Sequence, residues 1–268
     1  MKWARVVAIL FLLIVSVSCL LADYIAPASY AQQFRELPNA APSRLHLLGT
    51  DDLGRDRFSR VLYGTRVSLL LAPAAALLSS LLAAFIGGIA GFAGGWLERC
   101  VMAGTDLFLS LPWLFLLITV RALLPLNVSP IISVVITFAL LGCLGWAAAA
   151  RVICADARSL AQSDFVLLAR ASGSDGFRLV WRHLMPNLKP VLYAQFWISV
   201  PVFILTEANL GILGLGVAEP LPSWGSLLRE LESFSSVSGQ PWQLVPLVLF
   251  IVVVSSFHLV LTKEELPA

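Results

Sequence analysis

The sequence predicts an all-α membrane protein with six transmembrane helices. Three observations carry that reading. Of 268 residues, 59% are hydrophobic and only 13% are charged, about half the charged share of a soluble globular chain. Mean hydropathy is +0.87, so a water-soluble domain with this balance could not cover its surface. Apolar runs also recur near the length of about 20 residues that a helix needs to cross a hydrocarbon core about 30 Å thick. Disorder, a secreted disulfide scaffold and an ordinary cytosolic enzyme are set aside. Net charge is +2, and no basic run with interleaved aromatics points to nucleic acid. Cys19, Cys100, Cys143 and Cys154 form no C-x-x-C pair, and His46, His183 and His258 lack ligand spacing. Small hydrophobes in a bundle, with no metal and no cofactor, is the expectation.

The first span runs from about Val6 to Ala22, after Lys2 and Arg5. A signal peptide shares that pattern, but no Ala-x-Ala site follows and Ser16-Val17-Ser18-Cys19 is a poor lipoprotein box, which favours an uncleaved anchor over residues 1–22. Residues 23–66 hold several prolines and most of the early charges, and read as an external loop with a short helix around Arg57 to Tyr63. A five-helix core is expected over 67–262. Its first helix starts near Val67 and is dense in Ala and Gly from Ala72 to Gly95, a composition that lets backbones approach inside a bundle. The third span, about Gly104 to Leu124, carries Asp106 and Arg121 near its ends, where charges cost least, and Pro112 should kink it. The fourth is about Ile131 to Ala150, followed by a polar stretch from Arg151 to Lys189. The fifth runs from about Pro190 to Leu215 and the sixth from about Pro241 to Leu261, with 263–268 a short tail. The basic residues of 151–189 favour a cytoplasmic N-terminus, although Arg35, Arg44, Arg55, Arg57, Arg60 and Arg66 in the first loop narrow the margin.

The polar stretch after the fourth span is the most informative. Ser163 or Asp164 can cap a helix, and Gly173 can end it in a left-handed conformation. Ser174 or Asp175 can then cap a second short helix through Arg178, Trp181 and Arg182, which Met185-Pro186 ends. Phe165, Leu168, Ala169 and Ser172 would line one side of the first helix, with Phe177, Val180 and Trp181 as apolar knobs on the second. Such knobs suit docking into a partner's groove; a plain connecting loop packed on its own protein fits the residues equally well.

The stretch 163–187 resembles the EAA loop of ABC-importer permeases, in which Glu-Ala-Ala is followed by three residues, Gly, nine residues and Ile-x-Leu-Pro. Gly173 and Pro186 keep that separation, and Arg182-His183-Leu184-Met185-Pro186-Asn187 is similar to the version in dipeptide and oligopeptide permeases. Leu167-Leu168-Ala169 stands where the family has Glu-Ala-Ala, so the acidic residue is missing. Leu48-Gly49-Thr50-Asp51-Asp52-Leu53-Gly54-Arg55-Asp56, through Ser59-Arg60 and Tyr63-Gly64, resembles the same subfamily after its first span. Glu207-Ala208-Asn209-Leu210, Leu213 to Val217 and Pro222-Ser223-Trp224-Gly225 resemble its fifth span and following loop. The likeness covers about residues 48 to 260, and the C-terminus departs from the family's usual ending.

The resemblance implies a type I importer permease bundle in the inner membrane with cytoplasmic coupling helices, working by alternating access on peptides. It implies partners: a second permease, two cytoplasmic ATPases and an external solute-binding protein, besides the lipid bilayer. The ATPase-coupling residues would be Asp164, Ala169, Gly173, Arg182 and Pro186. No G-x-x-x-x-G-K-[ST] phosphate loop is present, so ATP hydrolysis falls to the partners. Nickel or another small solute, and a non-transporting protein derived from a permease, are the alternatives. A membrane-embedded enzyme would need a nucleophile with a base or a metal set within the bundle, and neither is apparent. On physical grounds Arg121 and Glu207 mark a translocation path or gate, because an intramembrane charge is by default functional. Glu207 lies about 17 residues, or roughly 25 Å, beyond Pro190, and Arg121 lies a similar distance beyond Gly104. Both should reach the same outer depth, where they either pair or separately snorkel and bond locally.

Overall fold

A computed structural model describes residues 2–125, 128–173, 176–232 and 241–261. They form helices and two isolated antiparallel bridges, Gln33 with Arg55 and Thr50 with Asp56. The helices are α1 (Lys2–Leu20), α2 (Ala22–Ile25), α3 (Arg57–Ala93), α4 (Gly95–Ser110), α5 (Trp113–Leu123), α6 (Pro130–Leu144), α7 (Trp146–Ala161), α8 (Asp164–Ala171), α9 (Gly176–Leu179), α10 (Met185–Ile212), α11 (Trp224–Arg229) and α12 (Val245–Leu261). Five helical stretches are long and apolar enough to cross a membrane: Trp3–Leu20, Arg57–Ala93, Pro130–Ala161, Met185–Ile212 and Pro241–Leu261. The bent pair α4 and α5 makes a sixth if it counts as one span. Its two halves meet at 83° around Leu111-Pro112, a far sharper break than the kink expected at Pro112.

Three boundaries differ from the sequence expectation, each for a local reason. The short helix near Arg57 and the second span are one helix of 37 residues that carries Pro73 inside it. Asp56 stands just before it, and its carboxylate accepts the Ser59 amide at 2.8 Å. That bond satisfies a donor the first turn leaves open, so the helix starts ten residues earlier than Val67. Beyond the fourth span the chain stays helical through Arg151 and Arg158 to Ala161. The third difference lies after α9, where a π-turn over Val180–Leu184 runs straight into α10. Pro186 therefore opens α10 instead of ending a helix. A missing amide is harmless in a first turn.

The chain divides into two compact units. One comprises residues 1–72, 121–138 and 201–268. Here α1 lies along α12, Trp224 stacks edge-on against Phe250 with centroids 5.0 Å apart, and Asp23 accepts from Tyr63 Oη at 2.7 Å and Arg66 Nη1 at 2.8 Å. Those two donors, Tyr63 first, hold the Asp23 carboxyl below its ordinary value.

The other unit comprises 73–120 and 139–200. Its core gathers Ala83, Ala149, Ala150 and Ile153, and next to them Ala157, Leu184 and Leu188. A Cβ at Gly87 would run into the Ala150 carbonyl, and one at Gly91 into that of Cys154. The small residues expected to let a helix backbone come close do so here, between α3 and α7. Ion pairs Arg151–Asp106 (3.2 Å) and Arg158–Glu98 (3.1 Å) link α4 to α7.

Candidate functional site

The stretch 163–187 holds two short helices, α8 and α9, on either side of Gly173. α8 begins at Asp164, which places an acid in the first turn, where the helix dipole favours it. Ser163 does not cap it with its side chain. Its hydroxyl donates back to the Leu160 carbonyl, and its own carbonyl accepts the Val166 and Leu167 amides at 3.0 Å. Gly173 has φ +83°, the left-handed turn expected of it. Among the described side chains of α8, Val166 is the buried one, while Phe165, Leu167 and Leu168 are exposed. The presented apolar face is therefore Phe165, Leu167 and Leu168, with Ala169 half-buried. Val180 turns inward and packs with Ala157, Leu184 and Leu188, so it is not a presented knob. Arg182 and Pro186 are exposed. Residues 174–175 and the side chains of Phe177 and Trp181 lie outside the described residues, as do the cap expected at Ser174 or Asp175 and those two knobs.

The second feature was not anticipated. The stretch Thr50 to Arg60 folds into a buried ion network. Asp51 Oδ1 accepts the amides of Leu53 (3.0 Å) and Arg55 (2.7 Å), and Oδ2 accepts Arg55 Nε at 2.6 Å. Arg55 Nη1 continues to Glu219 Oε2 at 2.6 Å. Arg60 is fully buried and donates to Glu219 Oε1 at 3.0 Å and Glu230 Oε1 at 2.8 Å. Arg57 Nη1 lies 3.5 Å from Glu230 Oε2. Burial pushes the Glu230 carboxyl up, with Asp51 adding to the rise, and Arg60 and Arg57 oppose it. Behind the network, Asp56 accepts from His46 Nδ1 at 2.8 Å and from Ser59 Oγ at 2.7 Å. The sequence signal is the spacing of four in Asp51–Arg55; the same spacing in Asp56–Arg60 makes no ion pair, since Asp56 bonds His46 and Ser59. Glu219 and Glu230 lie 159 and 170 residues from Arg60, and no local pattern announces them.

Glu207 and Arg121 are both buried and belong to the unit of residues 1–72, 121–138 and 201–268, but the structure does not bring them together as an ion pair. Glu207 Oε2 accepts from Ser68 Oγ at 3.2 Å, and the same hydroxyl receives the Trp224 amide at 3.3 Å. α10 and α11 approach here through bare backbone, since a Cβ on Gly225 would sit 2.7 Å from Gly211 Cα and 3.0 Å from Glu207 Oε1. Arg121 Nη2 donates to Ser133 Oγ at 3.2 Å and Nη1 to the Pro125 carbonyl at 3.4 Å. Ser133 Oγ in turn donates to the Gly216 carbonyl at 3.3 Å and accepts the Ala218 amide at 3.1 Å. Arg121 does not snorkel: it is 1% exposed.

Several helices long and apolar enough to cross a membrane and a short exposed helix with apolar side chains define a multi-pass membrane protein with a surface suited to docking. The comparisons make that specific. Residues 83–263 match the family described as binding-protein-dependent transport system inner membrane component, and the chain belongs to that family. It is 32% identical over 234 residues to the dipeptide transport system permease protein DppC of Bacillus subtilis, covering 87% of this chain and 71% of that one. It is 34% identical over 237 residues to the oligopeptide transport system permease protein OppC of the same organism, covering 87% and 75%. It is 31% identical over 229 residues to the glutathione transport system permease protein GsiD of Pectobacterium atrosepticum, covering 85% and 74%. The protein is thus an inner-membrane permease component of an ABC transport system.

Proposed function

We propose that this subunit imports peptides by alternating access, together with a second permease, two cytoplasmic ATPases and an external solute-binding protein. The observation that carries the substrate class is that the relatives above transport dipeptides, oligopeptides and glutathione by name. In this reading the N-terminus and the loop 163–187 face the cytoplasm. ATPase dimerisation pushes α8 and α9, with Asp164, Ala169, Gly173, Arg182 and Pro186 at or beside the contact. The exposed Phe165, Leu167 and Leu168 suit a partner groove and replace with apolar area the contact that the missing loop glutamate would make. Rigid-body rocking then exposes the pathway alternately, with Glu207 and Arg121 on it.

The test is uptake of a labelled dipeptide, a tetrapeptide and nickel by a strain lacking the chromosomal copy, with and without the plasmid-borne gene. Gene-dependent uptake of either peptide is the expected result. Nickel uptake alone would move the substrate to the alternative class, and no uptake of any solute would reject transport.

A further inference from the structure

Arg121 differs from the other buried arginines. Arg55, Arg57 and Arg60 each have a carboxylate within 4.0 Å. Arg121 is as buried as they are and has only neutral partners, Ser133 Oγ and the Pro125 carbonyl. Among the described residues its Nε donates to nothing, and no acid lies within the 4.0 Å that defines an ion pair. A buried charge is ordinarily paired, because burial removes solvation that something else must replace.

Arg121 forms part of the wall of a cavity of ≈ 680 Å³, a size typical of small-molecule sites. Asp52, Arg229 and Glu232 line it too. All three are exposed, and among the described residues none forms an ion pair within 4.0 Å. The wall thus offers unpaired charges of both signs, and the buried one is a guanidinium, whose fork matches a carboxylate. We propose that this cavity binds a short zwitterionic peptide, the C-terminal carboxylate on Arg121 and the ammonium on the side of Asp52 and Glu232. Every short peptide carries these two end charges, so the site accepts varied side chains. The inference rests on the peptide-permease reading.

The experiment uses the complete permease–ATPase complex in lipid nanodiscs, without the binding protein. Binding of dialanine and of dialanine amide is measured by calorimetry, with dialanine uptake by cells in parallel. Dialanine should bind at least about tenfold tighter than the amide, as expected for one charge-assisted contact. Arg121→Gln should drop dialanine to the level of the amide and leave the amide unchanged, and Arg121→Lys should keep part of the difference. Equal binding of the two probes by the wild-type complex overturns the site, and that comparison stands even if Arg121→Gln fails to assemble. So does dialanine binding that survives Arg121→Gln, or a loss that hits both probes equally. No binding by a complex that still supports uptake overturns the site alone and leaves the peptide-permease reading standing. Loss of uptake as well removes the peptide reading with it.

Discussion

Replacing Gly173 separates backbone conformation from packing with unusual clarity. The residue sits at φ +83° between α8 and α9, and a Cβ built there meets no atom within 4 Å. A Cβ therefore meets no clash among the described residues, and the conformational penalty is that of the left-handed backbone. For an L-residue that is about 1–2 kcal/mol, with a β-branched residue at the upper end. The population of the native turn then falls by roughly 5–30-fold. Gly173→Val should leave membrane insertion intact, lower ATPase copurification and depress peptide uptake by about that factor. Gly173→Asn is the control, since asparagine visits the left-handed region at small cost, and it should keep most of both signals. Normal copurification with normal uptake in the valine variant would refute the reasoning. An asparagine variant as defective as valine would refute it differently, by showing that the side chain and not φ is what the loop rejects.

Three further predictions concern topology and the buried charges. Single cysteines at the exposed Ser172 and at the exposed Leu45 of the 23–66 loop, on a background lacking Cys19, Cys100, Cys143 and Cys154, should label from opposite faces of the membrane; labelling from one face rejects the assigned topology. Arg60→Gln removes the fully buried guanidinium that Glu219 and Glu230 share and should cost about 3–5 kcal/mol, read as a large fall in the thermal midpoint of the purified complex. Glu219→Gln should cost much less, since its side chain is 49% exposed; equal losses would show that the network does not act as described. Exchanging charges in Arg121→Glu with Glu207→Arg should restore none of the uptake lost by either single change, because each residue has its own partners; recovery in the double variant would establish a pair between them.

The reach of the sequence was set by distance along the chain. Hydropathy needs only a window of neighbouring residues, so five of the six spans were legible, and the sixth was placed but not shaped. Its 83° break depends on Pro112 together with what packs around it, and no window reports that. Gly173 was legible because a turn between two short helices needs positive φ whatever surrounds it. The polar first loop was harder. Counted for topology, Arg55, Arg57 and Arg60 read as solvated charges outside the membrane. The same residues are buried, because Glu219 and Glu230 arrive from more than 150 residues away to neutralise them. That neutralisation also lets α3, capped by Asp56, carry Arg57 and Arg60 in its first turns: charges that would end a span in lipid can sit there once an acid faces each. Arg121 is the complement of this logic. Sequence marked it as a charge inside a span and offered Glu207 as partner by depth, but depth says nothing of azimuth. The structure gives Glu207 to Ser68 and leaves the Arg121 guanidinium uncompensated at a cavity wall. A buried charge unmatched among the described residues of its own chain calls for a counter-charge beyond them, which is why Arg121, marked by sequence but given the wrong partner, carries the ligand proposal.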